Sequence, residues 1–133
     1  MIWRAPARDD RSIAALWAVA AGLFVLMRPI WLAAAALLPA CPWHAWTGWP
    51  CPGCGTTRAL VHLLHGDLGG ALRFNPLAAG AAAAFVAGGA AAPLWLTLGG
   101  RIPALPDRSR PAWVAALGVA IAGNWAWLCA SGV

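Results

Sequence analysis

Three stretches of this chain, residues 13–31, 76–98 and 111–130, are long and apolar enough to cross a bilayer as helices. Lipid offers no hydrogen-bond partner to a backbone amide or carbonyl. A spanning segment must pair those groups within itself, and an α-helix does so in a single segment. The sequence therefore predicts an all-α membrane protein, one domain over residues 1–133, with three transmembrane helices. Hydrophobic residues make up 62% of the chain and charged residues only 10%, which fits lipid rather than water as the main solvent. The formal charge of +5 does not point to nucleic acid, because the arginines form no basic stripe.

Residues 1–11 read as a polar arm. Arg4 to Arg11 followed by apolar Ile13 to Met27 imitates a signal peptide, but the apolar run continues to Leu38, which favours a retained span. Arg28-Pro29 near its end marks a kink or exit. Arg4, Arg8, Arg11, Arg101, Arg108 and Arg110 fall on one side of the three-span arrangement; Arg28, Arg58 and Arg73 fall on the other. The excess of arginine predicts a cytoplasmic N-terminus in a bacterial inner membrane, with residues 41–75 and the C-terminus outside. Cys41, Cys51, Cys54 and Cys129 then share the outer face, where disulfides are permitted.

The insert at 41–75 is rich in Cys, Trp, Pro and Gly and is the expected site. Irregular backbone at a membrane must be buried in protein or line a cavity. Cys51-Pro-Gly-Cys54 has the spacing of a reactive thiol pair, and Gly55, Thr56 and Thr57 lead into a short helix over 58–65. Four readings stand open, of which the plainest leaves the cysteines free in a packed loop, their spacing a chance pair. Cys51 or Cys54 joins Cys41 or Cys129 as a structural staple. Cys51 and Cys54 act as a redox pair. Cys41, Cys51 and Cys54, with His44, His62 or His65, hold a soft metal or haem iron. The sequence itself requires no cofactor.

On the short helix Arg58, His62 and His65 share one face and Ala59, Leu60, Leu63 and Leu64 the other, which predicts an amphipathic or re-entrant element. Asp67 is expected to cap the next turn or to pair with Arg58. Asn75-Pro76 suits a helix start. Gly80, Ala84, Gly88 and Ala92 form a small-residue stripe for helix packing, as do Gly118 and Ala122, and Asn124 is expected to bind helices together. Most tryptophans fall near span ends, where they anchor at the interface.

The run from Cys41-Pro42 through Cys51-Pro-Gly-Cys54-Gly-Thr-Thr-Arg58-Ala, then Gly66-Asp67, then Asn75-Pro76, resembles a family of small bacterial integral-membrane proteins of unknown function. The shared pattern covers roughly residues 40–77. The resemblance implies a membrane protein whose motif residues are Cys41, Pro42, Cys51, Pro52, Cys54, Gly55, Thr57, Arg58, Gly66, Asp67, Asn75 and Pro76. It supplies a site without a reaction. No nucleophile–base–acid set, phosphate loop or intramembrane carboxylate path is present, which argues against an enzyme. The leading expectation is an accessory or assembly subunit that packs in the bilayer against a membrane-protein partner or a second copy, stapled by cysteine pairing and by Arg58 and Asp67. The alternative is a thiol-redox or metal-handling protein working through the Cys-Pro-Gly-Cys loop.

Overall fold

The computed structural model describes residues 2–39, 41–104 and 110–132. Among these residues seven helices follow in order: α1 (Arg8–Leu26), α2 (Arg28–Leu37), α3 (Pro42–Thr47), α4 (Thr56–Leu64), α5 (Leu68–Phe74), α6 (Pro76–Thr97) and α7 (Arg110–Ser131). A short antiparallel ribbon joins β1 (Ile2–Arg4) to β2 (Ile102–Ala104), with Trp3 opposite Pro103. The sequence pattern gave no sign of this ribbon. It places residues 2–4 beside residues 102–104.

α1 begins ahead of the expected residue 13. The Asp10 carboxylate accepts a hydrogen bond from the Ala7 amide at 2.7 Å and a second, at 2.8 Å, from Arg4. The arm's charged residues thus form a capped first turn, with acids where the helix dipole favours them. The helix breaks at Met27, just ahead of Pro29, which has no amide to continue the ladder. The chain turns by 60° there. Trp31 spans the break, its indole N–H donating to the Phe24 carbonyl at 3.1 Å.

α6 and α7 are each long and apolar enough to cross a membrane, and α1 with the helical residues after it makes a third only when the bent pair counts as one span. The structure is thus that of a multi-pass membrane protein with two clear spans and up to three.

α1 and α6 pack closely, and glycine is the reason. A side chain at Gly88 collides with the Trp17 ring, and one at Gly89 collides with Ala21. Trp17 lies in the space so left, its indole N–H donating to the Phe85 carbonyl at 3.0 Å. Phe24 meets Phe85 edge-on at 6.3 Å. The contact stripe is therefore Phe85, Gly88 and Gly89. Gly80 and Ala84 of the expected stripe are exposed, and Gly118 faces open space. Small residues do set the approach, as in other membrane helix pairs: Gly88 of the expected stripe is at the contact, with Gly89 beside it, while Gly80 and Ala84 are not. α7 touches the rest mainly near its C-terminal end, through buried Asn124 and Leu128.

This packing predicts that Gly89→Leu lowers the thermal unfolding midpoint in detergent, costing about 1–3 kcal/mol as overpacked cores do. Gly80→Leu, on the exposed face of the same helix, leaves the midpoint unchanged.

Candidate functional site

Cys51, Pro52, Gly53 and Cys54 form one β-turn, closed by the Cys54 amide donating to the Cys51 carbonyl at 2.9 Å. Proline at the second position suits such a turn. The turn folds the two thiols toward each other: their Sγ atoms lie 3.1 Å apart, and the Cys51 amide donates to Cys54 Sγ at 3.1 Å. Cys41 arrives from the other side as the residue just before α3. Its Sγ stands 3.6 Å from that of Cys51, and all three sulfurs lie within 4.8 Å of one another.

Left-handed glycines shape both ends of the loop. Gly48 (φ 71) ends α3 and Gly55 (φ 76) precedes α4, a backbone region that side chains resist. Gly66 (φ 83) ends α4: its own amide bonds to the Leu63 carbonyl, and the Asp67 amide bonds to the His62 carbonyl, each at 2.9 Å. That is a Schellman stop. Asp67 then starts α5 by accepting from the Gly70 amide at 2.8 Å. The Gly66-Asp67 step is thus a stop and a start set side by side.

Two asparagines hold the thiol turn to the long helices. The first amides of α6 are all accounted for. Pro76 has none, Leu77 donates to Asn124 Oδ1 at 3.0 Å, Ala78 donates to Asn75 Oδ1 at 2.9 Å, and Ala79 donates to the Asn75 carbonyl at 2.9 Å. The side-chain nitrogens turn the other way. Asn75 Nδ2 donates to the Cys54 carbonyl at 3.0 Å and to Thr56 Oγ1 at 3.3 Å; Asn124 Nδ2 donates to the Pro52 carbonyl at 3.3 Å. Trp125 adds an indole N–H to the Pro50 carbonyl at 2.8 Å. Asn75 is 1% exposed and Asn124 6%, so these bonds are shielded from competing water and satisfy carbonyls that lipid cannot.

A second cluster lies on the polar face of α4. His62 Nδ1 is 2.8 Å from Asp67 Oδ2, and Phe74 stacks beside His62, with ring centroids 5.1 Å apart. Arg58 lies over the same Phe74 ring, 5.1 Å from its centroid, a cation–π contact. A side chain at Gly70 collides with both Asp67 and His62, which explains glycine there. His65 turns back to the Val61 carbonyl at 2.8 Å.

Several expectations change here. No cysteine pair is at disulfide distance, and all four are free thiols, so the expected staple is absent. Cys129 stays on α7, outside the sulfur triangle. His62 and His65 do not join it either. Arg58 and Asp67 do not pair; Asp67 takes His62 and Arg58 takes Phe74. The short helix runs from Thr56 to Leu64 rather than over 58–65, with α3 and α5 as additional elements. The residues missed as contributors are Gly70, Phe74 and Trp125. Only Phe74, immediately ahead of the Asn75-Pro76 step, carried a hint in the sequence.

Environment divides the thiols. Burial pushes Cys54 up to about 12, with the hydrogen bond to Cys51 acting in the same direction. The His44 amide, and then Cys51, draw Cys41 below the ordinary thiol range. The Gly70 amide, and then His62, hold Asp67 below the usual carboxylate range. A cleft of about 500 Å³ opens at the triangle, lined by Cys41, His44, Cys54, Thr57 and Arg58 among others.

The fold and site define a multi-pass membrane protein with a three-thiol loop fastened to its long helices. Residues 41–89 match a family described as "Protein of unknown function (DUF2752)", which bears out the resemblance to a small family of unknown function. The matched stretch runs from the first cysteine of the triangle to the second glycine of the α1–α6 contact. No curated protein and no solved structure matches the chain.

Two outcomes follow from this bonding. Asn75→Ala removes a helix cap, worth about 1 kcal/mol, and orphans the buried Cys54 carbonyl at about 1–3 kcal/mol more; Asn75→Asp keeps the cap but sets a buried carboxylate oxygen against the Cys54 carbonyl, and so destabilises at least as much. Thermal unfolding in detergent ranks the two variants. Asp67, with its pKa depressed on folding, stabilises the protein above the ordinary carboxylate range and loses that contribution as pH falls through its lowered value. The unfolding midpoint of Asp67→Asn is therefore less acid-sensitive than that of the unaltered protein as pH falls through and below the ordinary carboxylate range.

Proposed function

We propose that this chain is a metal-binding protein of the bacterial inner membrane, holding one soft closed-shell ion, zinc or copper(I), on Cys41, Cys51 and Cys54. The observation that carries this reading is the shape of the sulfur triangle. Zinc bonds thiolate at about 2.3 Å, so tetrahedral ligand sulfurs stand about 3.8 Å apart. Separations of 3.1 and 3.6 Å, with the third under 4.8 Å, are close to that edge. Three thiolates favour copper(I) or zinc over hard cations.

The same triangle argues against thiol–disulfide relay. A thiolate attacks a disulfide along the sulfur–sulfur axis, which needs three sulfurs nearly in line. Here the separations close to an angle of about 90° or less at Cys51, the arrangement of a chelate. An accessory role in a larger complex has no feature of its own to support it, since the exposed apolar faces of α1 and α7 suit lipid equally well.

The arginine distribution supports a cytoplasmic N-terminus and an outward-facing thiol loop. Cys41 and Cys54 also line the cleft, which supports a fourth ligand position open to it.

Purified protein reduced and loaded with zinc or copper(I) is expected to hold one equivalent by elemental analysis. Cobalt(II) in its place gives thiolate charge-transfer absorption. Serine at Cys41, Cys51 or Cys54 weakens binding by on the order of 100-fold or more, because a charged ligand is lost; Cys129→Ser has no effect. Failure to bind any of these ions, together with a reversible Cys51–Cys54 disulfide of full occupancy, would reverse the choice in favour of redox chemistry.

A further inference from the structure

The thiol cleft does not end at the cysteines. A second cavity, of about 370 Å³, lies between α2 and α4, and it shares Ala35, Leu38 and Thr57 with the cleft of about 500 Å³. The two form one trough with unlike ends. One end is walled by Trp31, Phe24, Leu60 and Leu64. The other is walled by Cys41 and Cys54, the two threonines at the start of α4, and Arg58.

We propose that this trough binds an anionic membrane phospholipid, one acyl chain in the apolar end and the phosphate at Arg58. Charge selects this occupant. No carboxylate lines either half. Among the described residues, salt bridges join Arg4 to Asp10 and His62 to Asp67 and leave Arg58 without an acidic partner. The guanidinium is exposed, and its ring contact with Phe74 holds the side chain in place. A planar, always-charged fork of this kind matches phosphate oxygens two at a time. A neutral amphiphile such as a quinone fills the apolar end equally well but leaves that charge unmatched. The volume of each half is within the range of small-molecule sites, and the apolar half lies beside a helix that continues a membrane segment, where lipid is at hand. This inference does not need the metal, so it stands or falls apart from the thiol reading.

The test is native mass spectrometry of the full-length protein in neutral detergent, offered phosphatidylglycerol, phosphatidylcholine and a ubiquinone in turn. Phosphatidylglycerol is expected to be retained about tenfold more than phosphatidylcholine, a difference of about 1.4 kcal/mol. Arg58→Gln should bring the two lipids level, while Arg58→Lys keeps part of the preference and Arg73→Gln keeps all of it. The side chain is exposed, so these variants preserve the fold, and helix content by circular dichroism checks that. Equal retention of the two lipids, displacement of phosphatidylglycerol by the quinone, or an undiminished preference in Arg58→Gln overturns the proposal.

Discussion

The side chain of Asn75 is the joint on which the rest of the structure depends. Its oxygen caps α6 at the Ala78 amide, and its nitrogen holds the Cys54 carbonyl. One amide group, almost wholly buried, thus ties the start of a long membrane helix to the turn that carries two thiols. Asn124 repeats the device from α7, taking the Leu77 amide and giving to the Pro52 carbonyl. Neither bond is strong by itself. Each matters because the groups it satisfies have no alternative partner in lipid, so losing one costs a desolvated orphan and not merely a contact.

The membrane explains why such joints are needed. Helices in lipid gain little from burying apolar surface against one another, so they are held by close packing and by polar bonds. α1 and α6 use the first route, through Gly88, Gly89 and Trp17. α7 uses the second and is fastened where Asn124, Trp125 and Leu128 meet the thiol loop. The consequence for the site is rigidity. The loop is pinned by its carbonyls to two long helices, and the cysteines at Cys51 and Cys54 follow the turn they belong to. A thiol triangle held this way is pre-organised, which is what a metal site requires of its protein.

The caps and stops were legible in the sequence because each is a local rule. Asn75-Pro76 opens α6, Gly66 closes α4, Asp67 opens α5, and Arg28-Pro29 sits at the break between α1 and α2. Hydropathy gave the long helices for the same reason: it needs only composition along a window. What it missed depends on contacts between distant segments. The ribbon pairs residues 2–4 with 102–104, and no pattern within either announces the other. In an alanine-rich helix several small-residue stripes look alike, and so Gly88 of the expected stripe meets α1 with Gly89 rather than with Gly80 and Ala84. Arg58 and Asp67 were paired by charge alone, whereas Asp67 is already engaged by His62 and the Gly70 amide. The convergence of Cys41 with Cys51 and Cys54 was one of several cysteine arrangements that spacing allowed, and only the fold selects it.

The proposed metal site is three thiols closing around one ion. X-ray absorption at the metal edge of the zinc-loaded protein in lipid bilayers measures that directly. Three sulfur neighbours at about 2.3 Å, with one lighter ligand completing the shell, are the expected result. A first shell of nitrogen and oxygen alone, or one with fewer than three sulfurs, would contradict it.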